Sequence, residues 1–115
     1  MAVVVFSVNS LAVGANVKTA DQVSGTYQHV GAGVFTFAAK GSATGLNATV
    51  TVGGVALAND LPIPGSGPFG TIDLSANIMA SQALPGGRVE ATFRETAGVG
   101  AKTADAILYW EPITR

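Results

Sequence analysis

Short segments in which apolar and polar residues alternate constrain the fold of this chain more than any other feature. In the segment Arg88–Glu95 every second residue is apolar, namely Val89, Ala91 and Phe93. Successive side chains of a β-strand point to opposite faces of a sheet, so this period of two predicts a half-buried strand. The segment Thr71–Ala80 has the same pattern, with Ile78 on its apolar face and Met79 as the exception.

Further strands are predicted where valine, threonine, phenylalanine and tyrosine concentrate between glycine-containing turns. These strands are Ala2–Val8, Gly25–Val30, Gly33–Ala38, Leu46–Val52, Val55–Ala58 and Asp105–Glu111. Gly53-Gly54 separates two of them and suits a two-residue hairpin turn, because glycine adopts positive φ without strain. The alanine-rich segment Leu11–Val23 lacks a clear period and is predicted to be a loop with at most one helical turn.

Taken together, these segments predict an all-β protein. We expect a single antiparallel β-sandwich or jelly-roll-like domain over residues 1–115, with about seven to nine short strands. Short connections usually join neighbouring strands. Arg88–Glu95 and Asp105–Glu111 are therefore predicted to pair with each other.

Composition excludes several classes of function. Charged residues make up 11% of the chain and the net charge is −1, whereas soluble domains average about 25% charged residues. Without a basic surplus we expect no nucleic-acid partner. No apolar run approaches the roughly 20 residues of a membrane span, and no basic segment opens a signal peptide, so we expect synthesis in the cytoplasm and no membrane partner.

No constellation of residues predicts catalysis. The single histidine, His29, follows Asp21 and Ser24, but this spacing does not define a catalytic triad. Chain-wide, the aspartates lack the spacing of a calcium site, and Glu90 lies among arginines on the polar side of its strand, where ion pairing explains it. We therefore expect a protein that is not an enzyme, with no catalytic, cofactor-binding or metal-binding residues.

The segment Asp60–Gly70 is rich in proline and glycine, which argues against regular strand pairing. It also carries the apolar residues Leu61, Ile63 and Phe69, so it is not a solvated linker. Two interpretations remain: a crossover loop packed over one end of the sandwich, or an arm that docks on a neighbouring subunit. We refer to this segment as the docking arm.

Two adjacent aromatic residues, Tyr109 and Trp110, must point to opposite faces of their strand. The outward one would be an interface anchor or a platform for a sugar ring. With the docking arm and the segment Ala2–Val8, this pair supplies the predicted contacts. The candidate interface residues are Leu61, Pro62, Ile63, Pro64, Phe69, Tyr109 and Trp110.

The C-terminal half resembles small virion structural proteins of tailed bacteriophages. The resemblance rests on residues 57–64 (LANDLPIP), 70–73 (GTID) and 84–98 (LPGGRVEATFRETAG), the last of which is similar to a Gly-Arg-Val-x-x-x-Phe-Arg-x-Thr-x-Gly strand and turn that ends a compact β-sandwich. It implies a structural role in a virion without catalysis, as a capsid decoration or cement protein.

The expected partners follow from this resemblance and from the low charge. We expect a homo-oligomer, with a trimer favoured, that binds the major capsid protein, and we expect it to reside in the virion. A small jelly-roll capsid protein or another head or tail component remains an alternative within the same class. A carbohydrate-binding β-sandwich module is the alternative from another class, and it would need several coplanar exposed aromatic rings or a calcium site.

Overall fold

A computed structural model describes residues 3–23, 28–42, 44–65, 78–98 and 100–112 of the chain. These residues form β-strands joined by turns and extended connections, with no α-helix among them. The strands are β1 (Val3–Val13), β2 (His29–Val30), β3 (Gly33–Gly41), β4 (Leu46–Val52), β5 (Val55–Pro62), β6 (Ile78–Leu84), β7 (Gly87–Glu95) and β8 (Lys102–Pro112).

The strands form two antiparallel sheets that pack face to face, which confirms the predicted β-sandwich. Sheet one has the order β1-β8-β3-β6, and sheet two has the order β2-β7-β4-β5. The predicted pairing of Arg88–Glu95 with Asp105–Glu111 is wrong, because β7 lies in sheet two and β8 in sheet one. The connection between β7 and β8 crosses from one sheet to the other. Such a crossing can be as short as a hairpin loop.

The core lies between the sheets and is built from the alternating inward residues of both. Val89, Ala91 and Phe93 of β7 are fully buried, as the period of two predicted. Phe37 and Leu108 face them from sheet one, and the rings of Phe6 and Phe37 stack with their centroids 6.4 Å apart. Burying each such side chain contributes about 1.5–3 kcal/mol, so this layer is the main source of stability.

Among the described strands only β4 keeps its predicted limits, and the differences in β1, β5 and β6 matter most here. β1 continues to Val13, where a loop was expected, and β5 continues to Pro62. In β6 a register shift between Phe37 and Ala38 of the partner strand reverses the faces, so that Ile78 is 49% exposed while Met79 packs against the core. Residues 71–77 of the strand predicted at Thr71–Ala80 lie outside the described residues.

Residues 17–22 follow β1 and run along the outer edge of β7, and we call them the strap. The backbone N–H groups of Thr19 and Gln22 donate to the carbonyls of Phe93 and Ala91 at 2.8 and 2.9 Å. In return, Phe93 N–H donates to the Thr19 hydroxyl at 3.0 Å and Ala91 N–H donates to the Asp21 carboxylate at 2.9 Å. Two side-chain oxygens thus replace the carbonyls that a regular strand would offer.

Two of the passages between the sheets, those after β1 and after β7, meet at Glu95, the last residue of β7. Its side chain is fully buried and accepts hydrogen bonds from the backbone N–H groups of Asn16, Ala97 and Gly98 at 3.1, 3.0 and 2.7 Å. Lys102, at the start of β8, donates its ammonium group to the same carboxylate at 2.5 Å. These contacts lower the pKa of Glu95 to about 2, and the hydrogen bond from Lys102 has the largest effect.

Glycines allow tight turns at the opposite end of the sandwich. Gly53 and Gly54 have φ values of 58° and 82°, which are those of the primed hairpin turn predicted between β4 and β5. Gly86 has a φ of 94°, and a Cβ atom there would collide with the carbonyl group of Gly31. The turn before β7 can therefore pack against the backbone of Gly31 only because residue 86 lacks a side chain.

We expect Gly86→Ala to destabilise the fold by about 2 kcal/mol or more, because alanine is strained at positive φ and its methyl group meets a rigid backbone. Gly31→Ala is the matched control, since a Cβ atom at Gly31 meets nothing within 4 Å. Chemical denaturation of both variants measures the effect. Equal stabilities would contradict the described packing of the two turns.

We also expect acid to weaken the fold through Glu95. The folded pKa of about 2 lies below the ordinary value of 4.5, so this carboxylate stabilises the folded state fully above pH 4.5 and loses its contribution as the pH falls through about 2. Melting temperatures between pH 7 and pH 2 should fall for the wild type and depend less on pH in Glu95→Gln. Some dependence should remain, because the hydrogen bond from Arg94 lowers the pKa of Asp60.

The control for this measurement is Glu90→Gln on the same strand, whose carboxylate is exposed. This variant should keep the pH dependence of the wild type. If Glu95→Gln and the wild type lose the same stability between pH 5 and pH 2, Glu95 is not the group responsible.

Candidate interaction surface

The outer face of sheet one carries small, hydroxyl-bearing and apolar side chains. One row of directly opposite residues crosses all four strands, from Val4 through Tyr109 and Thr36 to Ser81. A second row crosses from Ser7 through Ile107 to Ile78. We define the neutral face by nine of the uncharged outward residues that are at least partly exposed: Val4, Ser7, Val34, Thr36, Ile78, Ser81, Ala83, Ile107 and Tyr109.

Several apolar side chains on the neutral face are exposed to solvent. Val4, Val34 and Ile78 have 42%, 36% and 49% of their surface in contact with solvent. They belong to three different strands, and Tyr109 lies between them on β8. Each residue alone would be unremarkable, but together they make a continuous surface that loses little hydration when it is covered.

Three described charged residues point outward from sheet one. Lys40 of β3 and Asp105 of β8 lie directly opposite each other and are 9% and 1% exposed. Both make polar interactions, so they add little charge to the solvent-facing part of the sheet. The third, Glu111, lies opposite Val34 near the end of β8 and is exposed, so one carboxylate borders the neutral face.

The outer face of sheet two is charged. Arg94 forms two hydrogen bonds with the carboxylate of Asp60, at 3.2 and 2.5 Å, and this contact lowers the pKa of Asp60 and raises that of Arg94. Arg88 lies 3.4 Å from Glu90 and 3.9 Å from Asp21. The predicted ion pairing around Glu90 is thus confirmed for Arg88, whereas Arg94 pairs with Asp60.

The two outer faces would behave differently in an interface. Covering the arginines and carboxylates of sheet two would remove water from their ion pairs. This costs free energy unless polar groups of a partner replace the water. Covering the neutral face displaces water from valine, isoleucine and tyrosine side chains instead. Because the centres of interfaces are depleted in charged residues, the neutral face is the better candidate surface.

The structure corrects part of the docking-arm prediction. Ile63 is 2% exposed and belongs to the core, and Leu61 packs against that core. Pro62 closes β5 opposite Asn47, and the carbonyl of Pro64 accepts a hydrogen bond from Gly41 N–H at 2.9 Å. The exclusion of regular pairing is therefore wrong for Leu61 and Pro62, which an edge strand accommodates. Ile63 is occupied within its own subunit, and Phe69 lies outside the described residues.

Tyr109 and Trp110 point to opposite sides of β8, as predicted. Trp110 packs against the core, and its indole lies so close to Gly33 that a Cβ atom there would collide with it. Tyr109 lies half-exposed in the neutral face. Of this pair, Tyr109 is the one placed to act as an interface anchor. It is also the only described aromatic residue on an outer face, whereas a sugar platform usually has several.

Two of the three residues in the spacing around His29 lie within the described ranges. His29 is exposed on β2 opposite Arg88, and Asp21 holds the backbone N–H groups of Val23 and Ala91. Ser24 lies outside the described residues. Across the described ranges, no three histidine, cysteine or carboxylate side chains cluster as metal ligands would.

The alternating pattern could have located the neutral face before the structure did. Val34 and Thr36 alternate with the buried Phe35 and Phe37 in β3, so their outward position follows from the same rule that identified Val89. The exposed position of Ile78 could not be anticipated, because it depends on a register shift. Glu95 was also missed, although its place in the alternation falls on the buried side of β7.

Comparison with known proteins returns no matching family model, no matching characterised protein and no matching solved structure. In the part of the chain that the structure describes, no helix has the length and apolarity needed to cross a membrane. The candidate surface therefore rests on the geometry and chemistry of the chain itself.

We expect Ile63→Ala to destabilise the fold by about 2–5 kcal/mol, as the loss of a buried isoleucine does, and to leave self-association unchanged. The matched control is Val55→Ala at an exposed valine of the same hairpin, which should change stability by about 0.5 kcal/mol or less. Denaturation and sedimentation measure the two properties separately. Unchanged stability with weaker association would restore the docking-arm interpretation for Ile63.

Proposed function

We propose that this protein is a non-enzymatic structural component of a virion, a capsid decoration protein that self-associates and binds a capsid shell through its neutral face. The observation that carries this proposal is the difference in charge between the two outer faces. Ion pairs stabilise sheet two where it meets water, while sheet one presents valine, isoleucine and tyrosine over four strands.

Burial of the neutral face supplies a physical mechanism for binding. Apolar surface removed from water contributes about 25 cal/mol per Å². One small face gives a modest free energy after the cost of association. A shell offers the same site many times, and an oligomer that engages several sites gains effective concentration, so that weak contacts add to stable attachment.

The resemblance to small virion proteins of tailed bacteriophages supports the same proposal. Its most specific segment, residues 84–98, forms β7 and the turn that Glu95 holds. The segment Ala2–Val8, expected to make contacts, contributes Val4 and Ser7 to the neutral face. A trimer remains the oligomer that the resemblance favours.

The test uses empty shells of the major capsid protein encoded in the same genome, mixed with the purified protein and sedimented. Wild-type protein should sediment with the shells, and Tyr109→Lys should weaken binding by about 2 kcal/mol or more, as the loss of an interface anchor does. The matched control is Thr92→Lys, which places the same charge at a half-buried outward position on the central strand β7 of sheet two.

The outcomes separate the proposal from its alternatives. Wild-type protein that never sediments with shells, in a genome without portal or capsid genes nearby, would contradict a virion role. Equal loss of binding in Tyr109→Lys and Thr92→Lys would contradict the choice of the neutral face. Melting curves of both variants show whether the sandwich itself survives.

A further inference from the structure

The four edges of the sandwich differ in how they are protected against pairing with another chain. Exposed edge strands offer unpaired N–H and C=O groups, and proteins usually block them with bulges, prolines, charges or covering segments. Strands β1 and β6 are the edges of sheet one, and β2 and β5 are the edges of sheet two.

Strand β1 is interrupted twice. Its pairing with β8 shifts register between Val4 and Phe6 and again between Val8 and Leu11. Such shifts bend a strand and increase its twist, so the outer edge of β1 is not a straight template.

Strand β5 is blocked by backbone distortion and by proline. Its pairing with β4 shifts register twice, Asp60 has a φ of 52°, and the strand ends at Pro62, which has no N–H group. The side chain of Asp60 is also charged and held by Arg94 on this side of the sheet.

The remaining edge of sheet two is covered by the chain itself. Strand β2 pairs with Gly87 and Arg88, and the strap takes up the donors and acceptors of β7 farther along, at Ala91 and Phe93. The side chains of Thr19 and Asp21 accept the N–H groups of Phe93 and Ala91 at this edge. Three of the four edges thus carry a protective device.

Strand β6 lacks all of these devices along most of its length. Its sequence, IMASQAL, contains no charged residue, no proline and no glycine. Its one register shift lies at its beginning, and from Ala80 to Leu84 it pairs with β3 without interruption. Within the described ranges no segment pairs with its other side, and Ser81, Gln82 and Ala83 are exposed. Every second residue therefore directs its N–H and C=O groups outward.

We propose that β6 pairs antiparallel with β6 of a second copy of this chain, around a two-fold axis, and joins the two copies of sheet one into a continuous sheet. A strand that pairs antiparallel with itself forms a closed, symmetric contact. Because β6 has no charge, no like charges meet across the axis. This inference rests on the self-association within the proposed function and specifies its contact.

The neutral faces support a second copy as the occupant. Ser81 and Ala83 belong to both β6 and the neutral face, so pairing two β6 strands places the two neutral faces side by side in one surface. A doubled neutral face binds a repetitive shell at two points, whereas a strand from an unrelated protein would leave it single. The contact gives a dimer, and a dimer can build larger assemblies but does not close into a trimer.

The first test places lysine on the edge. Sedimentation equilibrium should give a dimer for the wild type and a dimer dissociation constant at least about tenfold higher for Gln82→Lys and for Ala83→Lys, because like charges then meet near the axis. Ala56→Lys, at an exposed position of the edge strand β5, is the matched control and should leave the constant unchanged.

The second test uses the absence of cysteine from the chain. Directly opposite residues of antiparallel strands have Cα atoms about 4.5–5.5 Å apart, a separation that a disulfide spans. Ser81 is the central residue of β6, so full antiparallel overlap of two β6 strands places the two copies of Ser81 directly opposite each other. Under mild oxidation Ser81→Cys should form a linked dimer rapidly, and Ala56→Cys should remain unlinked. This measurement holds even if the lysine variants are unstable.

Three results would overturn the inference: a monomeric wild type, an oligomer unaffected by both lysine variants, or linkage of Ala56→Cys as fast as Ser81→Cys. Shell binding distinguishes its failure from that of the proposed function. Protein that sediments with shells through Tyr109 but does not depend on Ala83 for self-association retains the proposed function and loses the β6 contact.

Discussion

The carboxylate of Glu95 holds together two of the passages by which the chain crosses between its two sheets. One passage leaves sheet one after β1 and the other leaves sheet two after β7, and both donate backbone N–H groups to this one side chain. Lys102 then neutralises it where β8 begins. Burying a carboxylate is costly unless its oxygens are fully engaged. Four donors meet that requirement, so this contact both connects the passages and excludes arrangements that would leave the charge unpaired.

Much of the charge in this chain stabilises irregular backbone. Asp21 holds the strap against β7, and Arg94 holds Asp60 at the positive-φ residue of β5. Glu95 and Lys102 hold the passage between the sheets. The exposed rows of sheet one are close to a regular ladder of paired strands and need no such support. Asp21, Asp60 and Glu95 thus lie where the backbone departs from regular pairing, whereas Lys40 and Asp105 lie on regularly paired strands.

The sequence was sufficient to predict the strands but not their partners. The limits of β4 match the predicted Leu46–Val52, because alternation and the glycine turn after it are local properties. The partner of β7 was predicted wrongly. A short connection can either close a hairpin or cross between sheets, and its sequence does not distinguish the two. Ile78 and Met79 were assigned to the wrong faces of β6 because of one register shift. Such a shift exchanges the faces of the residues beyond it. Glu95 could have been found, since a carboxylate at a core position of the alternation requires a buried partner.

The same properties explain why this sandwich combines an uncharged surface with protected edges. A neutral face without protected edges would associate through any exposed strand, with no defined geometry. Bulges in β1 and β5 and the strap on β7 suppress three of those routes, and each costs regular backbone pairing. Residues 80–84 of β6 contain no such irregularity. They are the regular part of the edge that borders the neutral face. Among the described segments, this selective protection leaves one edge open, and that edge borders the neutral face.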